Sequence, residues 1–130
     1  MPRIPILVIA VFFLAGGVGH LVFTEFFILA MPDYLSHHKE LVLVSGAFEL
    51  LGAVGVLIPQ TRLWAGYGLI ALIIAVYPAN VHMALHPEAY AEMSAWLLYM
   101  RLPFQFLFVW FVWWAIAPER ARMSNTRQEY

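Results

Sequence analysis

The sequence predicts an all-α integral membrane protein: a bundle of four transmembrane helices with a short interfacial helix between spans 1 and 2. Three observations lead there. Hydrophobic residues make up 63% of the chain and charged residues 12%, with a mean hydropathy of +0.78; ordinary soluble domains run at about 45–50% and about 25%. Four apolar stretches, Ile4–Phe23, Leu41–Ile58, Leu63–Leu85 and Ala95–Ala117, match the roughly 17–25 residues that a helix needs to cross a bilayer. The cations fall mostly between and beyond these stretches, leaving residues 118–130 as a polar tail of a single domain spanning 1–130.

The first span follows Arg3. It is not a secretory signal, because no A-x-A-like site follows and the run is long enough to remain in the membrane. Between spans 1 and 2, Thr24 is placed as an N-cap with Glu25 in the first turn, and Pro32 stops the helix. Thr24–Met31 is therefore expected as an interfacial or re-entrant helix. Pro59–Arg62 forms a tight reversal, since Pro59 ends the second span and four residues suffice to turn the chain. The fourth span is reached through the loop His86–Ser94, which carries Glu88 and Glu92.

Orientation follows from loop charge. Arg3, Arg62, Arg120, Arg122 and Arg127 fall on one side of the four-span arrangement and Lys39 on the other. The positive-inside bias puts both termini and the Pro59–Arg62 turn in the cytoplasm. Trp64, Trp96, Trp113, Trp114, Tyr90 and Tyr99 lie near span ends, where amphipathic rings favour the headgroup layer.

Composition also excludes chemistry. A net charge of −1 offers no basic field for nucleic acid. With no cysteine, thiolate catalysis, disulfide exchange, iron–sulfur ligation and Cys-ligated zinc are closed to this chain.

Polar side chains inside spans are costly and need a reason. His20 lies about 24 Å from the inner end of span 1, at ~1.5 Å per residue, and Glu49 about 12 Å below the outer end of span 2. Asn80 lies about 8 Å below the outer end of span 3; Arg101 and Gln105 lie about 9 and 15 Å below that of span 4. All five fall in the outer half, while the inner half is almost wholly apolar. Arg101 and Gln105, four apart, share a helix face. Glu49 is flanked at helical spacing by Ser45, Gly46, Gly52 and Ala53, small residues that admit a neighbouring helix. The expectation is a ligand-binding polar cluster of His20, Glu49, Asn80, Arg101 and Gln105, held by a Glu49–Arg101 ion pair. Asn80 faces inward and His82, about 200° around the helix, does not. Pro78 frees a carbonyl one turn back for the cluster and bends the third span.

The remaining polar and aromatic features carry plainer readings. His82 and His86 read as interfacial residues, and His37–His38 as a solvated loop pair without a third metal ligand. No metal site is expected. The run Phe104–Trp114 reads as a packing or lipid-facing surface, and Gly16, Gly17 and Gly19 as close-packing residues.

Taken together, several short motifs resemble the DoxX-like family of small four-helix bacterial membrane proteins. They are G-x-x-H at Gly17–His20, E-F-F…M-P-x-Y-L at Glu25–Leu35, S-G-x-x-E-x-x-G-x-x-G at Ser45–Gly55, I-P-x-T-R at Ile58–Arg62, P-A-N-x-x-M-A at Pro78–Ala84 and R-L-P-x-Q at Arg101–Gln105. The resemblance implies a bacterial inner-membrane protein. The family takes its name from a membrane subunit of an archaeal thiosulfate:quinone oxidoreductase, so a quinone-linked redox subunit with an oxidoreductase partner is implied. Thiol-redox relatives rely on cysteines, which are absent from this chain.

Two functional expectations follow. In the first, the outer-half cluster binds a quinone or quinone-like molecule, donating hydrogen bonds to a carbonyl oxygen while Phe and Trp side chains hold the ring. In the second, the protein is a non-enzymatic assembly or scaffold protein whose buried Glu–Arg pair is structural. Haem held by His20 and a third-span histidine is the least favoured ligand, since His82 and His86 lie near the surface. Proton or ion transport is disfavoured by the apolar inner half. The expected partners are the lipid bilayer, an oxidoreductase subunit and a second copy in a homodimer.

Overall fold

The computed structural model describes residues 3–29, 36–86, 88 and 95–129. Among them the chain is helical, with no strand. The helices are α1 (Ile4–Val22), α2 (Thr24–Leu29), α3 (His38–Leu57), α4 (Arg62–Leu85), α5 (Ala95–Ala115) and α6 (Ala117–Gln128). Three of these, α1, α3 and α4, are long and apolar enough to cross a membrane, and a fourth crossing results if α5 and α6 form one broken span. Their flanks carry many exposed large apolar side chains, among them Val11, Leu51, Ile74, Leu107 and Trp110. Such a continuous apolar surface suits lipid and not water.

The helix boundaries have local causes. Pro5 occupies the first turn of α1, where its missing N–H costs nothing. Pro59 lies in the turn between α3 and α4, and Thr61 Oγ1 donates to the Gly55 carbonyl at 2.7 Å, closing that reversal. Thr24 behaves differently from the expectation. Its hydroxyl donates back to the carbonyls of His20 at 2.8 Å and Leu21 at 3.0 Å, so it closes the end of α1 instead of capping α2. The helix expected over Thr24–Met31 is present as Thr24–Leu29; its remainder and Pro32 lie outside the described residues. His38 begins α3 and His37 precedes it with a left-handed φ of 57°, so the pair divides between turn and helix. The tail is not irregular either. The chain bends by 49° between α5 and α6, and the tail continues as a helix to Gln128.

In the bundle α1 packs on α3, α3 on α4, and α4 on α5. The ring closes between α1 and α5 through aromatic side chains: Phe12 and Phe13 against Phe108, with centroids 4.5 and 5.6 Å apart. A continuous apolar core that includes Ile6, Ile9, Val56, Leu69, Val112 and Ile116 fills the end where α1 and α4 begin. Gly66 lets Ile116 in, since a Cβ there would lie 2.8 Å from Ile116 Cγ2.

A charged clasp closes that end. Arg62, expected in the tight turn between spans 2 and 3, is only 8% exposed. Its Nε donates to the Val56 carbonyl at 2.6 Å and its Nη2 to Leu57 at 3.3 Å, satisfying the last turn of α3. Its Nη1 meets Glu119 Oε1 at 3.3 Å. Arg3 reaches the same carboxylate at 3.0 Å and the Ala115 carbonyl at 2.8 Å. The start of α1, the α3–α4 turn and the α5–α6 bend are thus tied at one point. Burial alone would raise the Glu119 carboxyl, but its own backbone N–H, the Arg62 bond and the Arg3 charge together hold it below the usual range.

Glu119→Gln is expected to lower stability by about 1.5–3 kcal/mol, the range for a charge-assisted bond, because Arg62 keeps its two carbonyls and Arg3 is partly exposed. Thermal unfolding in detergent at neutral pH measures it. Because the folded-state carboxyl is depressed, its contribution is complete at neutral pH and is lost as the pH falls through that lowered value. Coincident wild-type and variant curves at pH 7 would refute the clasp.

Candidate functional site

The opposite half of the bundle is built on a close crossing of α1 and α3. A Cβ on Gly17 would lie 3.0 Å from the Gly46 carbonyl, and one on Gly46 would lie 2.7 Å from His20 Cβ. Only glycine at both positions allows this approach, which matches the expectation for this strip. The crossing brings His20 of α1 against Glu49 of α3. His20 Nδ1 lies 2.7 Å from Glu49 Oε2 and 3.0 Å from the Gly16 carbonyl. A carbonyl can only accept, so the Gly16 bond is made by the tautomer that carries its hydrogen on Nδ1. Each side chain of the pair is 16% exposed.

Beside the pair lies a cavity of about 380 Å³. All five expected residues line it: His20 and Glu49 on one side, Asn80 from α4, Arg101 and Gln105 from α5. Apolar walls come chiefly from Phe12, Phe13, Phe104 and Phe108. Asn80 faces the cavity, and His82 does not line it. His82 and His86 instead stack with centroids 4.4 Å apart, and His86 Nδ1 bonds the His82 carbonyl at 3.0 Å. Neither histidine of α4 lines the cavity with His20.

The expected Glu49–Arg101 ion pair is not formed; Glu49 takes His20. Depth along each helix says nothing of which helices are neighbours. With the order α1–α3–α4–α5 around the ring, α3 and α5 are diagonal, and the cavity separates them. Pro78 also contributes less than expected. Pro78 and Ile74 are both exposed, which places the freed carbonyl on the outer flank of α4 and not on the cluster.

Three cavity-lining polar side chains consequently have little or nothing to bond. The contact found for Arg101 is Nη1 to Met83 Sδ at 3.9 Å, a weak acceptor. Gln105 Oε1 is buried without a partner, and Asn80 makes no hydrogen bond among the described residues. Among those residues, too, no group of three metal-ligating side chains comes together. The residues that sequence reasoning missed are Arg62 and Glu119. A charged residue at a span end reads equally well as solvated, and the one signal was an arginine placed directly against an apolar run.

Fold and site together define an all-helical protein with membrane-length helices around a small cavity, apolar but for a few polar groups. The chain belongs to the family described as a domain of unknown function, DUF8561, whose model matches residues 9–116. No curated protein and no solved structure matches it. The DoxX-like resemblance is thereby corrected: the family that matches is a different one, and the DoxX-like model does not. The motifs behind it have a physical origin that does not need shared descent. Glycine beside His20 and at Gly46 is required wherever two helices cross this closely, and proline with a small residue recurs in membrane helices generally. The expectations of an oxidoreductase partner and a bacterial inner membrane lose the support they drew from it.

The observed pairing sets the order of variants. His20→Ala should lower the melting temperature in detergent, through loss of a charge-assisted bond worth about 1.5–3 kcal/mol. Arg101→Met, which removes a guanidinium without a carboxylate partner, should leave it unchanged or raise it. A large loss for Arg101→Met with none for His20→Ala would restore the diagonal pair.

Proposed function

We propose that the protein binds a lipid-soluble small molecule in this cavity, with a hydrogen-bond-accepting oxygen of the quinone-carbonyl kind set against Arg101 and its neighbours. The observation that carries the reading is Arg101, held among the described residues only by a weak contact to Met83 Sδ, beside the Asn80 and Gln105 amides around one cavity at membrane depth. The buried Gln105 Oε1 accepts, so it calls for a hydroxyl on the same ligand, as a quinol would carry. Polar groups in a bilayer find partners inside the protein or in what the protein holds. A volume of about 380 Å³ lies at the small end of the roughly 300–1,000 Å³ usual for ligand pockets. The Phe12, Phe13, Phe104 and Phe108 rings give flat apolar walls for a planar head.

The route in is lateral. The seam between α1 and α5 is closed by rings, and Arg101 and Phe104 line both the cavity and a groove on the outer flank of α5 with Trp96, Met100 and Leu107. A ligand dissolved in the bilayer would pass there by side-chain rotation alone. In this reading the clasp end, with Arg3, Arg62, Arg120, Arg122 and Arg127, faces the cytoplasm by the positive-inside bias, and the cavity lies in the outer half.

The scaffold reading retains one favouring observation. The His20–Glu49 bond and the Arg3–Arg62–Glu119 clasp are both satisfied within the bundle, so these ionisable groups need no ligand. They hold the architecture, and Arg101, Asn80 and Gln105 form the binding group.

Titration of the detergent-solubilised protein with decyl-benzoquinone, read by tryptophan quenching and by native mass spectrometry, is expected to give saturable one-to-one binding. Arg101→Met should weaken it by about tenfold or more, as loss of a charge-assisted bond of about 1.5–3 kcal/mol implies. Binding of equal strength in wild type, Arg101→Met and Gln105→Ala would sink the reading and favour the scaffold.

A further inference from the structure

The tail helix carries a second polar feature, at the opposite end of the bundle from the cavity. Arg120, Ser124 and Arg127 recur at i, i+4 and i+7, so they occupy one face of α6. That face meets Trp64 and Tyr67, from the first turns of α4, across a cleft completed by Gln128. The Arg120 guanidinium is held in place: its carbon lies 3.6 Å from the Trp113 ring centroid and its Nη2 donates to the Trp113 carbonyl at 2.9 Å. Its Nε is buried without a hydrogen-bond partner. No carboxylate among the described residues lines the cleft, because Glu119 is engaged by Arg3 and Arg62.

We propose that this cleft seats the phosphate of an anionic phospholipid headgroup. Two guanidinium groups supply the charge and the charge-assisted bonds that a phosphate takes. Ser124 and Gln128 add donors. The position favours lipid over a dissolved anion. α6 turns 49° away from α5 immediately past the apolar core, and Trp64, 63% exposed, stands in the first turn of a membrane-length helix. The cleft therefore lies where headgroups would be, at the end of the bundle that concentrates arginine. The proposal rests on the membrane placement of the helices and is independent of what the cavity binds.

Native mass spectrometry of the full chain in detergent, titrated with phosphatidylglycerol and phosphatidylcholine of identical acyl chains, tests it. The expected result is about fivefold preferential retention of phosphatidylglycerol for each cleft arginine engaged. Arg127→Gln should reduce that preference by about the same factor. Arg122→Gln, two residues from Arg120 and so on the far face of α6, removes the same charge and should leave it intact. Arg127 is exposed on the last turn of α6, so its replacement does not endanger folding. Equal retention of the two lipids by the wild type, or equal effects of the Arg122 and Arg127 variants, would overturn the site. Displacement of phosphatidylglycerol by inorganic phosphate in modest excess would reassign the cleft to a dissolved anion and overturn the lipid proposal.

Discussion

The close crossing of α1 and α3 is the constraint on which the outer half of the molecule depends. At Gly17 and Gly46 the two backbones approach to a distance that any side chain would prevent. That approach delivers the His20 ring to Glu49, and the bond between them keeps two polar groups from facing the apolar surroundings alone. It also sets the opposite wall of the cavity at a distance. With α1 and α3 drawn together, α5 stands across an open space at this level, bridged to α1 by phenylalanine rings. A cavity in a chain of this size is a consequence of where the helices are pulled tight and where they are not.

The polar groups of the protein divide by position. At the end where α1 and α4 begin, two arginines converge on one carboxylate and on the carbonyls of Val56, Leu57 and Ala115. These contacts satisfy the terminal carbonyls of two helices, and an apolar core lies directly above them. In the other half the arithmetic differs: one pair is matched, and an arginine, an asparagine and a glutamine remain around the cavity. The groups satisfied within the bundle support its architecture.

Membership of a family without an assigned function puts the weight of interpretation on such distinctions. The motif resemblance to a better-known family failed because its elements were mostly answers to packing requirements. Glycines at a helix crossing recur wherever the same geometric problem is solved. The five polar positions read from depth nevertheless proved to border one cavity, because depth is a property of a single helix and owes nothing to the family.

By itself the sequence determined the helical class, the lengths of the membrane-scale helices, the reversal at Pro59–Arg62 and the position of each polar side chain along its own helix. All of these follow from hydrophobic runs, helix breakers and the fixed rise per residue, which are local. Glycine at positions 17 and 46 signalled a close contact, but not with which partner. Only the tertiary structure decided that Glu49 bonds His20 across neighbouring helices, while Arg101 stands diagonal to it. It alone buried Arg62 with Glu119 and laid the tail helix against Trp64 and Tyr67. Pairing depends on the order of helices around the bundle, and that order is settled by the packing of whole faces, which no single stretch of sequence encodes.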